Sequence, residues 1–91
     1  MIYVSDEKPV FDGSNPEYVY KQVADHIAAR IAEGTLRPAT RLPGERDLAA
    51  EYGVALGTAR RAIRELRDRE LVITLPAKGT YIRAPKEDDA G

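Results

Sequence analysis

Ninety-one residues without a cysteine make one domain with a modest core and exclude disulfides and thiolate metal sites. No run of apolar residues is long enough to cross a membrane and the first residues do not read as a secretory signal, so no membrane partner is expected and the expected location is the cytoplasm. The net charge of −1 is unevenly spread: residues 21–85 hold twelve basic and eight acidic side chains, while acidic residues dominate both ends, and it is the local field that meets an anionic partner.

Residues 1–15 show no helical period. Ile2–Val4 and Val10–Phe11 suit short extended pieces and Asp12–Asn15 a turn, so the segment reads as a flexible leader whose Val10–Phe11 patch rests on the body. The first helix is expected from Pro16 to about Glu33. Asn15 suits its N-cap and Pro16 its first turn, Glu17 favours the positive end, and Tyr20, Val23, Ala24, Ile27 and Ile31 form the inward stripe. His26 lies in this helix without a second ligand and reads as an ordinary boundary residue. Gly34 ends the helix, Leu36 packs back, and Thr35–Thr40 makes a tight connection.

Arg41–Leu42–Pro43 suits one or two residues of edge strand. A second helix is expected from Glu45 to Tyr52, burying Leu48, Ala49 and Tyr52, with Gly53 as its stop and Val54 as the apolar plug behind it. Residues 54–70 read as a third helix with two unlike sides. Ala59, Ala62, Ile63 and Leu66 make an apolar back, and Arg60, Arg61, Arg64 and Arg67 lie around the front. Helix, short turn, helix is the helix-turn-helix layout. After Glu70 the period changes: Leu71–Leu75 is β-prone, Pro76–Gly79 suits a hairpin loop, and Thr80–Ile82 a return strand. The expected fold is α+β, three helices followed by a two-stranded β-hairpin wing, occupying residues 16–83. Residues 84–91 are small and charged and read as a flexible acidic tail.

Four blocks together resemble the N-terminal winged helix-turn-helix domain of the GntR family of bacterial transcription regulators: YKQVADHIAARIAEGTL, RLPGERDLAAEYGV, GTARRAIRELRDRELV and KGTYI. They cover about residues 16–82 in the right order and spacing. The resemblance implies a phosphate contact for Arg46 at the start of the second helix. It implies a major-groove contact for Arg60, a backbone contact for Thr58 near the recognition-helix start, and a close approach of Gly79 at the wing tip to the minor groove. The chain departs from the family pattern at Ala55–Leu56, where Ser-Arg is common, at Pro38–Ala39, where Pro-Gly is usual, and at Ala77–Lys78, where Gly-Arg is frequent. Leu56 cannot donate to guanine but suits a thymine methyl, and Gly57 adds slack beside it.

The candidate DNA-binding residues are therefore Arg46, Leu56, Gly57, Thr58, Arg60, Arg61, Arg64, Lys78 and Gly79. Arg60 suits two-point contact with guanine, Arg61 and Arg64 suit phosphates, and Lys78 a wing-phosphate contact. Each has a plainer reading: a surface ion pair of Arg60 with Glu65 or a neighbour, a pair of Arg46 with Asp47 or Glu51, a merely solubilising Lys78. Arg41 and Arg83 flank the wing and extend the patch, while Arg67 and Arg69 read as too far along the helix. Tyr18, Tyr20, Tyr52 and Tyr81 are assigned to packing.

No catalytic constellation is present, and no metal or cofactor is expected. The expected function is sequence-specific binding of double-stranded DNA and regulation of transcription. The alternatives are a protein-interaction module and a non-specific architectural DNA-binding accessory protein. No small-molecule effector domain is evident, and the Met1 start and acidic ending read as a complete short protein. A homodimer would read half-sites one helical turn apart, and its surface would be sought on the leader and the outer face of the first helix.

Overall fold

The computed structural model describes residues 16–84, so the leader, the Asn15 cap and the tail beyond Ala84 lie outside the described residues. Within them three helices precede a hairpin: α1 Pro16–Glu33, α2 Glu45–Tyr52, α3 Leu56–Asp68, β1 Val72–Leu75 and β2 Gly79–Ile82. This is the winged helix-turn-helix expected from the sequence.

Each helix ends where the backbone is given a way to turn. At Gly34, φ is +86°, and the Thr35 and Leu36 amides donate back to the Arg30 carbonyl oxygen at 2.9 and 3.2 Å. Gly53 closes α2 in the left-handed region and lets the Val54 amide reach the Ala49 carbonyl at 3.0 Å. Only Gly53, Val54 and Ala55 separate α2 from α3, so the two helices are held as one angled unit. The third helix is shorter than expected at both ends. Glu70, at φ +64°, ends it, with the Leu71 amide on the Leu66 carbonyl at 3.0 Å.

The core is built from all five elements. Val19, Val23, Ala24 and Ile27 of α1 meet Ala59, Ala62, Ile63 and Leu66 of α3, and Leu48, Ala49 and Tyr52 of α2 close one side. Ala59 and Ala62 are fully buried, and their small side chains let α3 lie close against α1. The buried stripe of α1 starts at Val19, one residue earlier than expected. Tyr20 and Ile31 sit half-buried at its flanks. At 100° per residue, Tyr18 falls on the far side of the helix from that stripe and is exposed rather than packed. His26 is half-buried and has a structural partner: its Nδ1 shares a 2.7 Å hydrogen bond with the Tyr52 hydroxyl, and the rings meet edge to face at 5.4 Å, which ties α1 to α2.

β1 and β2 pair antiparallel, with Val72 opposite Ile82, Ile73 opposite Tyr81, Thr74 opposite Thr80 and Leu75 opposite Gly79. Arg41 adds the expected edge residue by bridging Tyr81. On either side of it the Leu42 amide donates to Thr80 at 2.7 Å and the Ile82 amide to Thr40 at 2.9 Å. The hairpin is thereby stitched to the loop before α2, while Val72 and Ile82 plug it into the core.

Two local features carry stability predictions. Ala39 is held at φ +69° in the turn before Arg41, and a Cβ in the left-handed region is unfavourable. Ala39→Gly is expected to raise stability by about 0.5–1 kcal/mol, read as a higher denaturation midpoint, because the relieved strain exceeds glycine's extra unfolded-state entropy. Ala55 occupies the N-cap of α3 with extended backbone (φ −68°, ψ 154°) and no side-chain cap. Ala55→Ser fits that geometry, and its hydroxyl is expected to add about 1 kcal/mol by accepting a free amide of the first turn. The same denaturation assay reads it.

Candidate nucleic-acid interface

The face of α3 opposite the core is defined by helical spacing. Gly57, Arg60, Arg64 and Arg67 recur at intervals of three and four and form one outward stripe. Arg60 and Arg64 are exposed, Gly57 is exposed with open space where a Cβ would stand, and Leu56 and Thr58 are half-buried in the first turn. That first turn leaves its amides without a side-chain cap, so the positive end of α3 is open to an anion.

The arginines of α3 do different jobs. Arg60 reaches α2 rather than Glu65: its Nε donates to Glu45 Oε1 at 3.2 Å, and the two side chains remain 51% and 44% exposed. Glu65, five residues on from Arg60, lies about 140° around the helix and faces elsewhere. Arg61 turns toward α1, its guanidinium 4.1 Å from the centre of the Tyr20 ring. Arg69 is structural. Its Nη2 donates to Asp25 of α1 at 2.8 Å and its Nε to Glu65 at 2.9 Å, and these two bonds, Asp25 first, hold its pKa above the ordinary arginine value. Arg64 carries no hydrogen bond or ion pair among the described residues, and neither does Arg46 in the first turn of α2. The readings that paired Arg46 with Asp47 or Glu51 find no such contact.

The wing stands beside this stripe. Arg67, expected to lie too far along the helix, donates through Nη1 to Thr74 Oγ1 at 2.9 Å, and Thr74 and Thr80 share a 3.0 Å hydroxyl contact across the hairpin. Arg67, Arg41, Glu45 and Gly79 line one cleft of about 210 Å³ between α2, α3 and the wing. Arg41 supports the wing tip by donating from Nε to the Lys78 carbonyl at 3.2 Å, an oxygen that the Tyr81 hydroxyl also approaches at 3.4 Å. Lys78 itself is exposed at the tip. Arg83 is placed away from this cleft, in a separate groove of about 450 Å³ with Ile31, Leu36, Pro38, Arg69 and Leu71.

Gly79 has a local reason to be glycine. Its φ is +128°, and a Cβ there would come within 2.5 Å of Arg41 Nε. Gly79→Ala is expected to displace Arg41 from the Lys78 carbonyl and to destabilise the fold by about 1–3 kcal/mol, because backbone strain and a clash with a supporting side chain add. Thermal melting checks the stability loss.

Arg46 at the α2 start, Arg60 and Arg64 on α3, and Lys78 at the wing tip are exposed on the three elements that form this cleft, though none of the four is among its lining residues. Arg61 sits at the edge of that surface because it lies on Tyr20. Leu56 and Thr58 belong to the α3 entrance. Arg41, expected to extend the patch from beside the wing, lines the cleft, and so does Arg67, expected to lie too far along the helix. Helical spacing does place Arg67 two turns after Arg60 on the same side, but that the wing folds alongside those turns is a tertiary fact. Among the described residues no three His, Cys, Asp or Glu side chains gather as a metal site, and no helix is long and apolar enough to cross a membrane.

Comparison with known proteins agrees with this architecture. The family model "Bacterial regulatory proteins, gntR family" matches residues 19–82. The mannosyl-D-glycerate transport/metabolism system repressor MngR of Escherichia coli is 38% identical over 65 residues, covering 71% of this chain and 27% of that protein. A GntR family transcriptional regulator from Listeria monocytogenes superposes with a TM-score of 0.72 at 34% identity, over 80% of this chain and 62% of that one. The DNA-binding domain of AraR in complex with operator ORR3 superposes with a TM-score of 0.65 at 32% identity, over 69% of this chain and 76% of that one. The chain spans about a quarter to a third of the length of curated relatives such as MngR. A 64-residue match to the family model, covering most of the described fold and all of the α2–α3 unit, is decisive: the chain belongs to the gntR family of bacterial regulatory proteins and holds its winged helix-turn-helix domain.

Proposed function

We propose that this domain binds double-stranded DNA sequence-specifically and regulates transcription, with α3 in the major groove, the start of α2 on the backbone and the wing tip at the neighbouring minor groove. The observation that carries the reading is that Arg46, Arg64 and Lys78, exposed cations from α2, α3 and the wing tip, have no side-chain carboxylate or other partner among the described residues. A basic surface left unpaired on an otherwise charge-balanced fold suits phosphates. The likeness to a DNA-binding domain solved in complex with its operator supports DNA binding by this fold. In this reading Arg60 is the base reader, Arg46, Arg64 and Lys78 are phosphate contacts, Arg61 and Thr58 flank them, and Leu56, Gly57 and Gly79 are points of close approach. The domain is a binding module of the cytoplasm rather than an enzyme, and it acts as a two-fold dimer, because one module offers few phosphate contacts.

Selection of duplexes from a random-sequence pool, followed by salt-titrated binding of the enriched sequence, tests this. Enrichment of a palindromic motif with a steep salt slope is the expected result. Salt-sensitive binding without sequence preference would replace it by an architectural role. No binding at low salt would leave a protein-interaction module.

A further inference from the structure

Glu45 is the first residue of α2. A carboxylate there favours the helix's positive end whichever way its side chain points, so α2 does not need it to reach α3. It nevertheless accepts a hydrogen bond from Arg60 Nε at 3.2 Å, and both side chains stay about half exposed. Exposed pairs of this kind add little to stability, so the consequence of the contact is geometric.

A guanidinium held through Nε keeps both terminal amino groups available as a two-donor edge. Guanine presents two acceptors, O6 and N7, in the major groove, and one two-donor edge satisfies both. A phosphate would engage Arg60 equally well, but Glu45 places a negative charge beside it, and two anions at one arginine repel. Arg46 and Arg64 have no such companion among the described residues and are available to take phosphates. We infer that Glu45 is a specificity-determining positioning residue: it aims Arg60 at a base edge and penalises the use of Arg60 as a sequence-blind phosphate clamp. The inference rests on the DNA-binding reading above and assigns one discriminating contact within it.

The experiment uses the full chain and two duplexes, the one that the wild type enriches from a random pool and a scrambled duplex of the same composition. Glu45→Gln removes the charge and keeps the size. Glu45→Asp keeps the charge at the helix start and shortens the reach. Both are made in the wild-type and the Arg60→Ala backgrounds, with melting curves as the check on folding. Glu45→Gln is expected to bind the scrambled duplex more tightly and to lower the ratio of selected to scrambled affinity about tenfold. Glu45→Asp is expected to lower the ratio as well, and in the Arg60→Ala background neither change should move it. The proposal is overturned if Glu45→Gln shifts both duplexes equally, if Glu45→Asp matches the wild type, or if the ratio falls as far without Arg60. Failure of the wild type to enrich any duplex would overturn the DNA-binding reading itself, and with it this inference.

Discussion

Arg60→Ala is expected to weaken binding to the selected duplex by about 1–3 kcal/mol while leaving a scrambled duplex nearly unaffected. The magnitude is that of one lost two-point contact to a base. The selectivity of the loss follows from the surroundings: Arg46, Arg64 and Lys78 remain to hold phosphates, and Glu45 keeps Arg60 from being one more backbone clamp. Stability should change little, because the removed ion pair is half exposed. Competition binding with the two duplexes at fixed salt reads the effect. An equal loss on both would turn Arg60 into a phosphate contact.

Leu66→Ala is expected to lower the unfolding free energy by about 2–5 kcal/mol. Leu66 is fully buried on the core side of α3, and its carbonyl accepts the Leu71 amide that closes the helix. Removing its three terminal carbons leaves a void where α3 meets the rest of the core. That loss is a large share of the stability of so small a domain. Denaturant titration measures it directly. Binding should fall only by the fraction unfolded, which separates this side of α3 from the arginine side: one substitution weakens the fold and spares specificity, the other does the reverse.

The two sides of α3 show how far residues in order can be read. The core side was legible because burial follows the helical period: Ala59, Ala62, Ile63 and Leu66 are the buried residues expected. The α2 bounds were legible because Gly53 is the residue that the left-handed turn needs. The first-helix stripe was nearly so, with Val19 taking the place given to Tyr20, since amphipathic spacing sets a face but not its edges. The arginine side was legible only as a list. Which arginine stacks on Tyr20, which braces the wing and which meets Glu45 depends on elements far apart in the chain: Arg60 and Glu45 are 15 residues apart, and Arg69 and Asp25 are 44.

Local rules therefore settled the element order, the helix stops, the hairpin and the family pattern, because propensity, capping and periodicity act over a few neighbouring residues. The partners of the charged side chains, the joining of Arg41 and Arg67 to the cleft, and the reason that a Cβ at Gly79 would displace Arg41 came from the packed chain. Long, exposed guanidinium groups have no period and many rotamers, and their choice of partner is made only when α2, α3 and the wing come together.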